Sequence, residues 1–108
     1  MDELEELMAR IDKFNKDRDW DKFHTPVNLS KSILIEAAEL LECFQWDNDK
    51  FNLEDAKDEL ADVLNYCLQL SQVLKLDPVD IVNKKIDKNE LKYPVSKAKG
   101  VSTKYNKF

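Results

Sequence analysis

Four carboxylates stand out by their spacing. Glu36 and Glu39 lie three apart in "SILIEAAELLECFQW", and Glu59 and Asp62 repeat that spacing in "EDAKDELADVLNYCLQL". With 22 acids in 108 residues, pairs three apart arise by chance, as in Asp2 with Glu5, Glu3 with Glu6 and Asp55 with Asp58. Position on the helix is what discriminates. At about 100° per residue, with Glu36 at zero, Leu29, Leu40, Ile33, Phe44 and Ala37 fall between about +20° and +100°, and Glu39 at about −60°. Glu42, at about −120°, is expected to face water. Around Glu59 the pattern repeats: Leu70, Val63, Cys67 and Leu60 fill the same arc and Asp62 lies at about −60°. Both helices thus carry an acid pair on one shoulder of an apolar face. If the faces pack with those shoulders adjacent, four carboxylates converge, and they cannot all stay ionised without positive charge. An oxygen-only set suits Mg²⁺, or Mn²⁺, better than Zn²⁺. The rival reading is ordinary surface acids paired with lysine, Glu39 with Lys31 or Asp62 with Lys57. A di-iron carboxylate site is disfavoured, because the only histidine, His24, lies in no Glu-x-x-His motif.

The elements that must position these acids are helical. One Gly and three Pro leave few tight turns, and 43% apolar with 36% charged residues suits a soluble all-α domain with a modest core. Leu4, Leu7, Met8, Ile11 and Phe14 predict a first amphipathic helix over residues 2 to about 17. "DWDKFHTPVN" interrupts it, since Pro26 disfavours helical geometry at Thr25. Asn28 or Ser30 is expected to cap a second helix running to about Trp46. Asn52 is expected to cap a third, from Leu53 to about Leu74. Asp77, Pro78 and Asp80 announce a fourth, ending near Lys92 before Pro94. Residues 1–95 are read as the helical domain and residues 96–108 as a basic, irregular tail. Cys43 and Cys67 are expected as buried free thiols.

Charge limits the partners. Residues 84 to 108 hold eight Lys against Asp87 and Glu90, a balance of +6 within a chain of net −5, so residues 1 to 83 carry −11. An acidic body argues against a nucleic-acid polymer, whereas the basic quarter can meet a small polyanion such as a phosphate chain. No apolar run approaches a membrane span and the acidic start lacks a signal peptide's basic and apolar regions, so a cytoplasmic protein is expected.

Four ordered segments spanning roughly residues 15 to 95 resemble the MazG-like all-α nucleoside triphosphate pyrophosphatases, particularly their dCTP pyrophosphatase branch. "DWDKFHTPVNL" is similar to W-x-x-F-H-x-P-x-N-L, and "EAAELLECFQW" to an E-x-x-E helix ending in F-Q-W. "ELADVLNY" matches E-L-x-D-V-L-x-Y, and "KIDKNELKYP" matches K-x-x-x-N-x-x-x-Y-P. The resemblance implies a four-helix, oligomeric bundle, a homodimer or homotetramer. It implies hydrolysis of a nucleoside triphosphate, dCTP among the candidates, to the monophosphate and pyrophosphate. On that resemblance Glu36, Glu39, Glu59 and Asp62 are the catalytic metal-binding acids. Trp20, His24, Trp46 and Tyr66 lie near the base and nucleotide, and Lys85 and Asn89 contact the nucleotide. The link "DNDKFN" looks shorter than in longer members, which implies a reduced lid and broader specificity. Glu90 stands where a neutral or basic residue is common. The alternative is a catalytically silent helical module that binds a nucleotide or a protein partner.

Overall fold

The structure, a computed structural model, describes residues 1–46 and 48–108; Asp47, in the link expected to form a reduced lid, lies outside the described residues. Those residues form five α-helices and two short 3₁₀ turns, with no strand among them. They divide into two compact units, Met1–Lys75 and Leu76–Phe108. No helix is long and apolar enough to cross a membrane.

The first unit begins with helix α1 (Glu3–Asp17). Asp2 caps it by accepting from the Glu5 N–H at 2.8 Å, and Glu3, Glu5 and Glu6 place negative charge at the positive end of the helix dipole. After Arg18 the chain reverses through Asp19, whose φ of 55° is left-handed, and the Trp20 N–H donates to the Asn15 carbonyl at 3.0 Å. Aspartate tolerates that backbone region better than most residues. A 3₁₀ turn, Asp21–Phe23, follows and is tied down by the Asn28 side chain donating to the Phe23 carbonyl at 2.9 Å.

Helix α2 (Pro26–Glu42) starts earlier than Asn28 or Ser30 would place it. Thr25 is the cap, its hydroxyl accepting from the Asn28 N–H at 3.2 Å. The restriction that Pro26 imposes on Thr25 is the extended geometry a cap needs, and a proline at the first helical position sacrifices no hydrogen bond. Ser30 bonds back to the Pro26 carbonyl at 2.7 Å instead of capping. The helix also stops at Glu42, short of Trp46. Phe44 turns out of the helical path to meet Phe51 at 4.7 Å between ring centroids, and this pair pins the two ends of the link.

Helix α3 (Leu53–Val73) begins on the Asn52 cap, which accepts from Asp55 N–H at 3.0 Å. It is the spine of the unit: α2 lies along it, and α1 packs over a shorter stretch. The Gln72 side chain donates to the Met8 carbonyl at 2.9 Å and clips α1 to α3. Ile11, Leu29 and Ala56 are the buried apolar residues, with Leu29 fully enclosed. The thiols depart from expectation, Cys43 being half-buried and Cys67 exposed. Cys67 shares the apolar arc of α3 with Leu60, and both lie on a part of that arc that no element of the unit covers.

In the second unit, Asp77 caps α4 (Pro78–Lys92), its carboxylate accepting from the Val79 and Asp80 N–H groups at 2.9 and 3.3 Å. The tail is more ordered than its lack of periodicity predicts. It forms a one-turn helix, α5 (Val95–Ala98), and a 3₁₀ turn at Tyr105–Lys107. Tyr105 and Phe108 both meet the Tyr93 ring edge-on at 5.9 Å. Lys92 sits 4.9 Å from the centre of the Tyr105 ring.

Candidate active site

Packing α2 along α3 brings the two acid shoulders together. Glu36, Glu59 and Asp62 each offer a carboxylate oxygen within 4.8 Å of the others. Glu39 stands close enough to Glu36 and Glu59 to share a proton with either. Lysine pairing does not account for these acids. Lys57 pairs with Glu54 at 3.3 Å, and no ion pair among the described residues involves any of the four.

The electrostatics show an uncompensated cluster. Glu36 Oε2 and Glu59 Oε2 are shut off from water without a hydrogen-bond partner. Such atoms need a proton or a cation, because burying a carboxylate oxygen unpaired costs several kcal/mol in order of magnitude. With a proton, Glu36 hydrogen-bonds to Glu39; that bond, then burial and repulsion from Glu39, Asp62 and Glu59, pushes its pKa from 4.5 up to about 7. Burial, followed by a hydrogen bond with Glu39 and by neighbouring carboxylates, also raises Glu59. The Tyr66 hydroxyl is pushed up by burial and by Glu36 and Asp62, so it stays a neutral donor at pH 7. Around the cluster, Glu42, Cys43, Asp55 and Asp58 join Glu39 and Glu59 in lining an open acidic hollow. The donor set is all oxygen, two of its oxygens are stranded, and among the described residues no ion pair involves it. It fits a hard divalent cation.

Asp62 also lines a second feature, a cleft of about 410 Å³ between α1, the Asp21–Phe23 turn and α3. Trp20, His24 and Tyr66 line it with Phe14. The left-handed turn at Asp19 delivers Trp20 there, edge-on to Phe14 at 5.7 Å. The guanidinium of Arg18 covers Phe14, 3.7 Å from its ring centre. This is a space with aromatic walls, and Asp62 of the acid cluster is part of its lining.

Trp46, Lys85 and Asn89 are placed differently. Trp46 is 88% exposed and does not line the cleft. Lys85 and Asn89 lie exposed on α4 in the second unit. Conversely, Arg10, Asn15, Asn65 and Gln69 line the cleft although their spacing did not single them out. Asn15 stands four residues after Ile11, on the buried stripe of α1, where an amide among apolar residues is itself a signal. Gln69 and Asn65 lie at about −80° and −120° from Glu59, a flank that reads as solvent-facing; packing α1 against it buries Gln69 and leaves Asn65 exposed in the cleft lining.

Comparison with known proteins agrees with this geometry. A family model described as MazG-like matches residues 31–108, a span that holds all four acids. The chain is 34% identical over 111 residues to dCTP pyrophosphatase 1 of Mus musculus, covering 94% of this chain and 65% of that protein. It is 33% identical over 114 residues to dCTP pyrophosphatase 1 of Homo sapiens, covering 97% of this chain and 67% of that protein. The chain therefore spans about 65% of the length of the first of these relatives. Among solved structures, a pyrophosphatase from Archaeoglobus fulgidus is similar with a TM-score of 0.78 and 41% identity, over 87% of this chain and 94% of that one. Ordered motifs, helical architecture and family match agree: the chain belongs to the MazG-like family.

Proposed function

We propose that this protein is a divalent-metal-dependent nucleoside triphosphate pyrophosphohydrolase that releases the monophosphate and pyrophosphate, with dCTP among its substrates. The observation that carries the reading is Asp62. It belongs both to the acid cluster with its two stranded carboxylate oxygens and to the aromatic cleft, so a charge-neutralising centre and a base-sized space adjoin at one residue. Relatives named dCTP pyrophosphatase and a neighbour named pyrophosphatase support the same reaction class.

In this reading Glu36, Glu39, Glu59 and Asp62 would hold Mg²⁺, or Mn²⁺. A bound cation of this kind supplies charge neutralisation at phosphate oxygens and acidifies water. With its pKa raised to about 7, Glu36 takes up a proton as pH falls through neutrality in the free protein, and a bound cation would take that proton's place. Trp20 offers a ring face for stacking a base, His24 and Tyr66 flank it, and the neutral Tyr66 hydroxyl can donate to the nucleotide. With no glycine-rich phosphate loop in the sequence, phosphate charge falls to the metal and to lysine. Lys85 and Asn89, four apart on α4, are proposed for phosphate contact, and Trp46 for the base side.

Exposed Leu34, Ile35 and Leu41 on α2 and Leu60 and Leu64 on α3 support a homodimer, or a tetramer built from dimers. A monomer in sedimentation at micromolar concentration would sink that part.

The reaction is tested by incubating the protein with each deoxy- and ribonucleoside triphosphate, in Mg²⁺ and in EDTA, and separating products by anion exchange. Monophosphate with pyrophosphate, in Mg²⁺ only, is expected. Orthophosphate would indicate a different phosphohydrolase, and no product from any triphosphate a silent binding module.

A further inference from the structure

We propose that the side-chain amides of Asn15, Gln69 and Asn65 form a polarised chain that reads the hydrogen-bonding edge of the nucleobase, and so sets discrimination between amino and keto bases. The proposal rests on the pyrophosphohydrolase reading above and extends it to base selection. Asn15 Nδ2 donates to Gln69 Oε1 at 3.0 Å, and Gln69 Nε2 donates to Asn65 Oδ1 at 2.8 Å. All three residues line the aromatic cleft. Asn15 and Gln69 are buried, while Asn65 is exposed.

An amide has one donor end and one acceptor end, so a head-to-tail chain fixes what its two termini have left to offer. Here Asn15 keeps the acceptor Oδ1, and Asn65 keeps the donor Nδ2. Cytosine and adenine present an amino donor beside a ring-nitrogen acceptor, whereas uracil and guanine present a carbonyl acceptor beside a ring N–H. A cleft offering one donor and one acceptor at fixed positions suits one of these orders and leaves unpaired groups against the other.

The chain makes a prediction that three independent side chains would not. In N65D, the new carboxylate still accepts from Gln69 but presents an acceptor where Asn65 presented a donor. In N15D, the carboxylate cannot donate, so Gln69 must turn its Nε2 toward position 15 and its Oε1 toward Asn65. Asn65 then donates into the chain and is left with Oδ1. Both variants convert the position-65 end from donor to acceptor and leave the position-15 end an acceptor.

The test is the ratio of kcat/KM for dCTP to that for dUTP in wild type, N65D and N15D, each checked for folding by circular dichroism. Both substrates carry the same triphosphate, so a disturbance of the neighbouring metal centre cancels from the ratio. The expected result is a shift of about tenfold, in the same sense in both variants, the scale of one wrong base-edge contact. A ratio within twofold of wild type in either folded variant, or shifts of opposite sense, overturns the proposal. If N15D fails to fold, N65D alone decides, since its exposed site tolerates the change. A wild type that hydrolyses neither substrate nor any other triphosphate overturns the pyrophosphohydrolase reading, and this proposal with it.

Discussion

Helix α3 carries two polar clusters on adjoining flanks, one towards α2 and one towards α1, and they are built to different rules. Facing α2, Glu59 and Asp62 meet Glu36 and Glu39, and two buried carboxylate oxygens have no partner. Facing α1, Gln69 and Asn65 meet Asn15 in a chain whose internal bonds are made at 3.0 and 2.8 Å. Both lie beside helix–helix contacts, so burial does not separate them. The difference is that like-charged acceptors cannot satisfy one another, whereas amides can. The acid flank is therefore incomplete without a proton or a cation, whereas the amide flank makes its internal hydrogen bonds as it folds. Stability is sacrificed on the first flank, where the proposed metal would bind, and gained on the second.

The comparison breaks most sharply on activity. Replacing Glu59 with Gln, or Asp62 with Ala, is expected to lower pyrophosphate release by about a thousandfold or more, given the several kcal/mol a metal supplies to transition-state charge. The helical circular dichroism signal should stay intact. Substantial residual turnover in either variant would remove the proposed role of the acids.

Stability should move in opposite directions on the two flanks. Gln69→Leu strands the buried Asn15 amide and is expected to cost about 1–3 kcal/mol, read as a lower melting temperature. Glu36→Gln removes charge from the crowded cluster, so in EDTA its melting temperature should rise, and the stabilisation that Mg²⁺ gives the wild type should shrink. Both variants losing stability in EDTA would contradict the contrast drawn here.

Acidity sharpens the same point more gently. The Glu36 carboxyl titrates at about 7 in the folded chain, against 4.5 ordinarily. Between those values the folded chain binds a proton that the unfolded chain has released. Without divalent cation, stability should therefore fall as pH rises from about 4.5 through 7. With Mg²⁺ the trend should weaken or reverse, because the cation replaces that proton. Melting curves across pH 5 to 8 in EDTA and in Mg²⁺ would show it; a flat profile in EDTA would count against a crowded acid flank. The smallest effect expected is from Asn52→Ala, at about 1 kcal/mol, because it removes only the cap of the helix that both flanks share.

Much of this was legible without coordinates. Helical spacing placed Glu36 with Glu39, and Glu59 with Asp62, on matching shoulders, because the period of a helix is fixed by its own backbone hydrogen bonds. The caps at Asn52 and Asp77 were equally local, depending on a side-chain oxygen and amides within three residues. Locality also explains the misses at α2. Thr25 outcompeted Asn28 once Pro26 fixed the geometry between them, and Phe44 left the helix for a ring seven residues away. What only the tertiary structure decided is which flank of each helix meets another. Gln69 reads as solvent-facing until α1, 54 residues earlier at Asn15, lies against it. Cys67 and Leu60 read as core, yet no element of their unit covers them. A sequence fixes the angular order of side chains around each helix axis through short-range sterics and hydrogen bonding. Which angles become interior depends on contacts between residues far apart in the chain, and those contacts carry no local signal.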